Sequence, residues 1–541
     1  MKSQHLVCVI VFAFAPAIAS EDDFASEGTV KTVLGKQIRV FLGIPYARPP
    51  EGKLRFRKPQ PVNFTKGLRA AKGMAPSCLQ LNEDLPPFPW LPEKNTSFSE
   101  DCLYLNVWTP LTGRSKIERF PVLIFLHGGG FRSGSSSLEV YDGGTLSAYG
   151  DLVVVTVNYR LGSLGFLQLN SKISGNMGLY DQVRALEWTQ LHIGYFGGDP
   201  SQVTVMGQEA GAVSLGMLLL SPLCKGLLKQ AVLLSGAPNW LVDPMDTTES
   251  ITRARKLASE VGCVPTSLHP GKKLQQTGQC LMKVNASSLV EAEHRILNGS
   301  YYGFLPRQRD MVVPMDPVMA VAHGHVLPVD VLVAFTEDEG YMQTYKLFPH
   351  LFTNESRLTL SEARSILAEV LDLFPDDATD LLMDFYFGKL NDSDPPNDIR
   401  QALSQAFGDI FVTCPARIFA ESFGDRPMNA FLYEFKYKPL LSMNPAEIGA
   451  TNFDDIPYLF GEPLRFPERF ASDDVSITKM MMNIVTSFVK SGTPEPVRDF
   501  AIPKFESPAY KYVQLSGSGA IEKQFPRPSC DLWKRFYPKN S

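Results

Sequence analysis

Short apolar runs, rich in Val, Ile and Leu and bounded by Gly, Pro or Asp, recur along the chain at Val122–Leu126, Leu152–Val157, Val203–Met206, Ala231–Leu234, Val329–Phe335 and Ala430–Tyr433. They read as continuous hydrophobic stretches, the pattern expected of strands buried on both faces of a sheet. Helical stretches such as Leu179–Leu191 lie between several of them, which predicts βαβ units and a parallel sheet covered by helices on each side. The fold class is therefore α/β. In such sheets ligands bind outside the carboxyl ends of the strands, so the residues just after these runs are where chemistry is expected. No Pro-, Gly- or Ser-rich linker divides the chain.

Composition narrows the picture. The chain has 541 residues with 44% hydrophobic and 20% charged residues, which excludes a disordered, collagenous or coiled-coil protein. Its net charge is −5, so nucleic acid is not an expected partner. The 41 Gly and 41 Pro follow no period. At the N-terminus, Lys2 precedes an apolar run from Leu6 to Ala19 with small residues Ala17, Ala19 and Ser20, then Glu21, Asp22 and Asp23. This predicts a secretory signal peptide over residues 1–20, the alternative being an uncleaved anchor. No later charge-free segment is long enough to span a bilayer, and Tyr537–Ser541 offers no lipid-anchor tail. A secreted, extracellular protein without an integral membrane span is expected.

Eight cysteines suit that compartment. With Cys8 in the signal, spacing suggests local loops between Cys78 and Cys102 and between Cys263 and Cys280, while Cys414 and Cys530 could close a long one. Cys224 is left over and reads as a buried apolar thiol. Sequons at Asn63, Asn95, Asn285, Asn298, Asn354 and Asn391 predict glycosylation.

Two motifs stand at strand ends. After Val122–Leu126 comes His127-Gly128-Gly129-Gly130-Phe131, a glycine triplet that lets backbone N–H groups point into a cavity, as an oxyanion hole requires. A plain tight turn is the alternative. After Val203–Met206 comes Gly207-Gln208-Glu209-Ala210-Gly211, followed by an apolar helical run. Small residues flanking position 209 suit a sharp strand-to-helix elbow, but the residue at its tip is not serine.

With these, Phe41–Pro50 (FLGIPYARPP), Ser99–Val107 (SEDCLYLNV), Asn158–Gly162 (NYRLG), Gly175–Gln182 (GNMGLYDQ) and Asp338–Gly340 (DEG) resemble the type-B carboxylesterase and cholinesterase family, from about Gly28 to the C-terminus. The Cys414 and Cys530 pair resembles the cholinesterase branch. The resemblance implies an α/β-hydrolase fold with a large, mostly parallel sheet and a deep gorge at the strand ends, residues 21–541 forming one domain. It also implies disulfides 78–102, 263–280 and 414–530 and ion pairs of Arg55 with Glu100 and Arg160 with Asp181. Gly129, Gly130 and Ala210 match the oxyanion hole. In the triad positions stand Glu209, where the family has serine, Glu339, the retained acid, and Asn452, where the family has histidine. Trp90 lies near where cholinesterases place a choline-binding tryptophan, although its Pro-rich surroundings differ.

Acyl transfer in this family needs a hydroxyl activated by an imidazole that later returns the proton to the leaving group. Asn452 has no titration near neutral pH. All eight histidines lie at or before residue 350, so the usual Ser, acid, His order is broken. The expectation is a non-hydrolytic, cholinesterase-like binding or adhesion protein whose Glu209 carboxylate turns toward the N–H groups of Gly129, Gly130 and Ala210. Drift in an unused site is the bland alternative. A carboxylic ester hydrolase with an atypical site and a stoichiometric ester or toxin scavenger are the rivals. No cofactor or metal is called for. The expected partner is a protein or a hydrophobic or ester ligand in the gorge, and the family resemblance also allows a homodimer.

Overall fold

The structure, a computed structural model, describes residues 28–536 except 63–72, 82–95, 112–118, 241–246, 268, 298–302, 349–350, 352–357, 372–375, 425, 440–441, 443, 446–447, 498–499, 518 and 525–527. The proposed signal segment, Trp90 and its Pro-rich neighbours, and the sequons at Asn63, Asn95, Asn298 and Asn354 lie outside the described residues.

An 11-stranded sheet organises the chain. In chain order its strands are β1 (Thr29–Val33), β2 (Lys36–Pro45), β3 (Tyr104–Pro110), β4 (Phe120–Leu126), β5 (Val153–Val157), β6 (Gly198–Gln208), β7 (Gln230–Leu234), β8 (Asp330–Thr336), β9 (Ala430–Phe435), β10 (Lys511–Ser516) and β11 (Gly519–Gln524). Their spatial order is β1-β2-β3-β5-β4-β6-β7-β8-β9-β10-β11. The block from β5 to β10 is parallel throughout, and the antiparallel pairs β1–β2, β2–β3, β3–β5 and β10–β11 flank it. Each of the six apolar runs falls in this parallel block.

The strand alternation sends successive side chains to opposite faces. Val122, Ile124 and Leu126 of β4, Val153, Val155 and Val157 of β5, and Val331, Val333 and Phe335 of β8 join one core. Leu123, Phe125, Val154, Leu332 and Ala334 join the other. Helices α2 (Met177–His192), α3 (Ala210–Leu219) and α5 (Cys414–Gly424) cover the first face, while α1 (Gly144–Gly150) and α6 (Ser472–Ser491) cover the second. Each buried Val or Leu removed from water contributes about 1.5–3 kcal/mol, so two such layers hold the sheet rigid beneath its strand ends.

Covalent and ionic ties fix the periphery. Disulfides join Cys78 to Cys102, Cys263 to Cys280 and Cys414 to Cys530. The last anchors the short helix α7 (Pro528–Trp533) to α5. Cys224 is free and buried, and burial pushes its thiol up to about 12, which keeps it protonated and unreactive. Arg55 donates to both oxygens of Glu100 at 2.6 Å. Arg160 grips Asp181 the same way, through Nε at 2.8 Å and a terminal nitrogen at 2.7 Å. Among the described residues no helix is long and apolar enough to cross a membrane.

Candidate functional site

The ends of β4, β6 and β8 converge on one place. Beyond β4 the chain turns through Gly129, at φ 116°, a backbone conformation that glycine alone adopts without strain. A Cβ there would also lie 2.2 Å from the carbonyl oxygen of Ser133. The turn directs the Gly129 and Gly130 N–H groups toward the adjoining strand end. His127, just before it, is buried. Its Nδ1 lies 2.8 Å from the Gly128 carbonyl, its ring stacks on Tyr159 with centroids 4.5 Å apart, and the Tyr159 hydroxyl donates to the His127 carbonyl at 2.7 Å. Only an N–H can donate to a carbonyl, so the proton sits on Nδ1. Burial lowers the His127 pKa to about 4, against the opposing effects of the Gly128 bond and the Glu209 charge, so the imidazole is neutral near pH 7. Here it braces the glycine loop.

Beyond β6 the chain makes the elbow. Gly211 is pressed against β4: a Cβ at that position would lie 2.1 Å from the Leu126 carbonyl oxygen. Glu209 at the tip has φ 50° and ψ −113°, a costly conformation for a residue with a Cβ, and it is the N-cap of α3. Its Oε2 accepts hydrogen bonds from Gly129 N–H at 2.8 Å, Gly130 N–H at 2.8 Å and Ala210 N–H at 2.6 Å. Three donors converge on one carboxylate oxygen at a helix N-terminus, where backbone and helix dipole both favour negative charge. Charge-assisted bonds of this kind are about twice as strong as neutral ones, which offsets the backbone strain. The second oxygen, Oε1, accepts no hydrogen bond from the described residues, and the side chain is only part-buried.

Beyond β8, Glu339 precedes helix α4 (Gly340–Leu347) and is 2% exposed. Its Oε1 accepts from Ser235 Oγ at 2.6 Å and Thr336 N–H at 2.7 Å, and its Oε2 accepts from Asn452 Nδ2 at 2.9 Å. Asn452 in turn accepts from Gln208 Nε2 on Oδ1 at 2.6 Å. The amide therefore spans from the acid to the residue beside the elbow tip, and its carbonyl serves Gln208. Burial raises Glu339 to about 7. Asp455, one turn beyond Asn452, is raised to about 8, first by burial and then by the charge of Glu339.

Glu209, Gly129, Gly130 and Ala210 thus form one hydrogen-bonded nest, and Glu339, Asn452 and Gln208 a chain beside it. Ser235 joins this chain through its bond to Glu339, and Asp455 feels the charge of Glu339; neither was singled out from sequence. Ser235 directly follows the run Ala231–Leu234, at a strand's carboxyl end, which was the available signal. Asn285 and Asn391 are exposed sequons, the former capping the helix Ala286–Ile296. A cluster of metal-type ligands among the described residues, Asp409 with Cys414 and Cys530, has both sulfurs committed to a disulfide.

Comparison with known proteins follows this geometry. Residues 26–533 match the model of the Carboxylesterase family. The chain is 35% identical to Acetylcholinesterase-1 of Trittame loki, over 96% of this chain and 94% of that protein. It is 33% identical to Cholinesterase of Mus musculus, over 95% and 85%, and 32% identical to Acetylcholinesterase of Bungarus fasciatus, over 99% and 90%. With an α/β-hydrolase sheet, its strand-end elbow and these matches spanning nearly its whole length, the chain belongs to the carboxylesterase family and is cholinesterase-like.

Proposed function

We propose that this chain is a secreted, non-hydrolytic member of the family that acts by binding, its acyl-transfer site blocked by its own side chain. The observation that carries this reading is the triple acceptance at Glu209 Oε2. In an acyl-transfer enzyme such donors meet the oxyanion that develops on the substrate. Here a carboxylate already fills that place, like a tethered product. The elbow tip offers no hydroxyl, and Asn452, between Glu339 and Gln208, cannot accept and return a proton. The relatives named as cholinesterases act on choline esters by their names; this chain keeps their scaffold with different groups at the reacting positions.

Residues 1–20 as a signal peptide, residues 21–541 as one domain, and glycans at Asn63, Asn95, Asn285, Asn298, Asn354 and Asn391 complete the reading. Three disulfides accord with an oxidising compartment. The partner is a protein surface or a hydrophobic or ester ligand held near Glu209, and a homodimer is compatible with this role.

The test is a double replacement, Glu209→Ser with Asn452→His. Loss of nucleophile or base in a triad costs about 10⁴ to 10⁶ in rate, so the double variant should gain hydrolysis of an activated aryl ester by several such decades over the wild type. Equal rates in wild type and variant, both above a Glu209→Ala control, would show that the native residues already catalyse.

A further inference from the structure

We propose that Glu209 is a single-use covalent acceptor for alkyl electrophiles, compounds with a good leaving group on a saturated carbon. The proposal rests on the self-blocked reading of the site and asks what chemistry such a site still permits.

The two carboxylate oxygens of Glu209 are unequal. Oε2 is held by three backbone N–H groups, while Oε1 accepts no hydrogen bond from the described residues and belongs to a part-buried side chain. The nest orients the carboxylate and leaves one lone-pair-bearing oxygen directed away from it. A carboxylate fixed in this way is a positioned nucleophile.

Which carbon it can attack follows from the same bonds. Attack on an ester carbonyl generates a new oxyanion on the substrate, which needs donors of its own, and the donors here are occupied by Oε2. Displacement at a saturated carbon generates no oxyanion. A lone pair of Oε1 forms the new O–C bond, the bond to the leaving group breaks, and its electron pair departs with the halide into solvent. The anionic side chain becomes a neutral γ-ester, its Oε2 now the ester carbonyl oxygen and still bonded to the nest. No proton, oxidant or co-reactant is required.

Release is where the site fails. Opening the ester needs water activated by a base next to residue 209. Asn452 is an amide committed to Glu339 and Gln208, and His127 is buried with its ring stacked on Tyr159 and its pKa lowered to about 4, which leaves its free nitrogen a weak base shielded from water. Glu339 faces Ser235, Thr336 and Asn452. The adduct therefore persists, and the protein consumes one electrophile per chain.

The probe is 1-bromobutane added in excess to the intact, disulfide-bonded protein. The expected result is a mass gain of one butyl group, mapped by peptide fragmentation to Glu209, with bromide release that stops at one equivalent. Glu209 should be esterified at least about ten-fold faster than the exposed carboxylate Glu369, the advantage of a held nucleophile over a solvated one. Background thiol alkylation is small because Cys224 is buried and protonated. Glu209→Gln keeps the shape without the nucleophile and should lose the fast phase. Labelling of Glu209 no faster than Glu369 in the wild type overturns the proposal even if the variant fails to fold, and bromide release continuing past one equivalent overturns its single-use character. Neither result bears on ester hydrolysis, which is measured separately, so failure here is distinguishable from failure of the non-hydrolytic reading.

Discussion

Gln208 donates from Nε2 to Asn452 Oδ1 at 2.6 Å, joining residues 244 positions apart in the chain. Through Asn452 Nδ2 the connection continues to Glu339 Oε2 at 2.9 Å. An amide can donate and accept at once but cannot carry a proton from one side to the other. Asn452 thereby ties three elements together: the end of β6, the turn before residue 456, and the end of β8.

That tie predicts energetic coupling. Gln208→Ala and Asn452→Ala should each destabilise the fold, and the double variant should be less destabilised than the sum, with a coupling of about 0.5–3 kcal/mol expected of buried, directly bonded side chains. Urea denaturation of the four proteins measures it. Strict additivity would mean that the contact contributes nothing.

Glu209→Ala empties the nest. Loss of a charged acceptor from three N–H groups should cost about 1.5–3 kcal/mol, softened where water replaces it. The vacated donors should then take a small carboxylate from solution. Acetate should raise the melting temperature of Glu209→Ala in a saturable way, by mass action, and leave the wild type unchanged. Equal responses of both proteins would place the effect elsewhere.

Buried acids set the pH response. Folding raises Glu339 from 4.5 to about 7 and Asp455 from 3.8 to about 8. The folded state thus binds these protons more tightly than the unfolded chain, and the resulting stability is present at low pH and lost as pH rises through the folded values. His127, lowered from 6.5 to about 4, works in the opposite direction, its penalty vanishing as pH rises through the lower window. Between about pH 6.5 and 8 the acids dominate, so stability should fall, and Asp455→Asn should flatten that decline. The check is the difference between wild-type and variant melting temperatures across this range; parallel curves would refute it.

The Arg160–Asp181 pair lies almost wholly inside the protein, with side chains 4% and 0% exposed. Replacing Asp181 by Ala leaves an uncompensated buried guanidinium and should cost about 3–5 kcal/mol. Exchanging both partners for apolar residues of similar volume should cost much less. Chemical denaturation of the two variants distinguishes a stability role from one of specificity.

The parallel centre of the fold was legible because its strands are buried on both faces and so appear as unbroken apolar runs, as at Val122–Leu126 and Val331–Phe335. The antiparallel flanks were not. Thr29–Val33 (TVKTV) and Gly519–Gln524 (GAIEKQ) are edge strands with mostly exposed side chains, and polar residues interrupt the pattern that betrays a strand. At the site, the small residues around position 209 marked a strand-to-helix elbow, while the approach of Glu209 to the glycine triplet was expected only through the family resemblance. The placing of Asn452 and Glu339 at related positions came only through family resemblance, since nothing local in Thr451–Asp455 marks it, and their hydrogen bond is seen in the structure. Ser235 reaches Glu339 because β7 and β8 are neighbouring strands whose ends meet there, and the charge of Glu339 acts on Asp455 across the fold, relationships set by topology.

Steady-state hydrolysis of an activated aryl ester by the purified wild-type protein, together with labelling by an organophosphate, tests the central claim most directly. The account predicts no saturable turnover and no phosphorylated residue at the elbow. Saturable turnover that disappears in Glu209→Ala would contradict it.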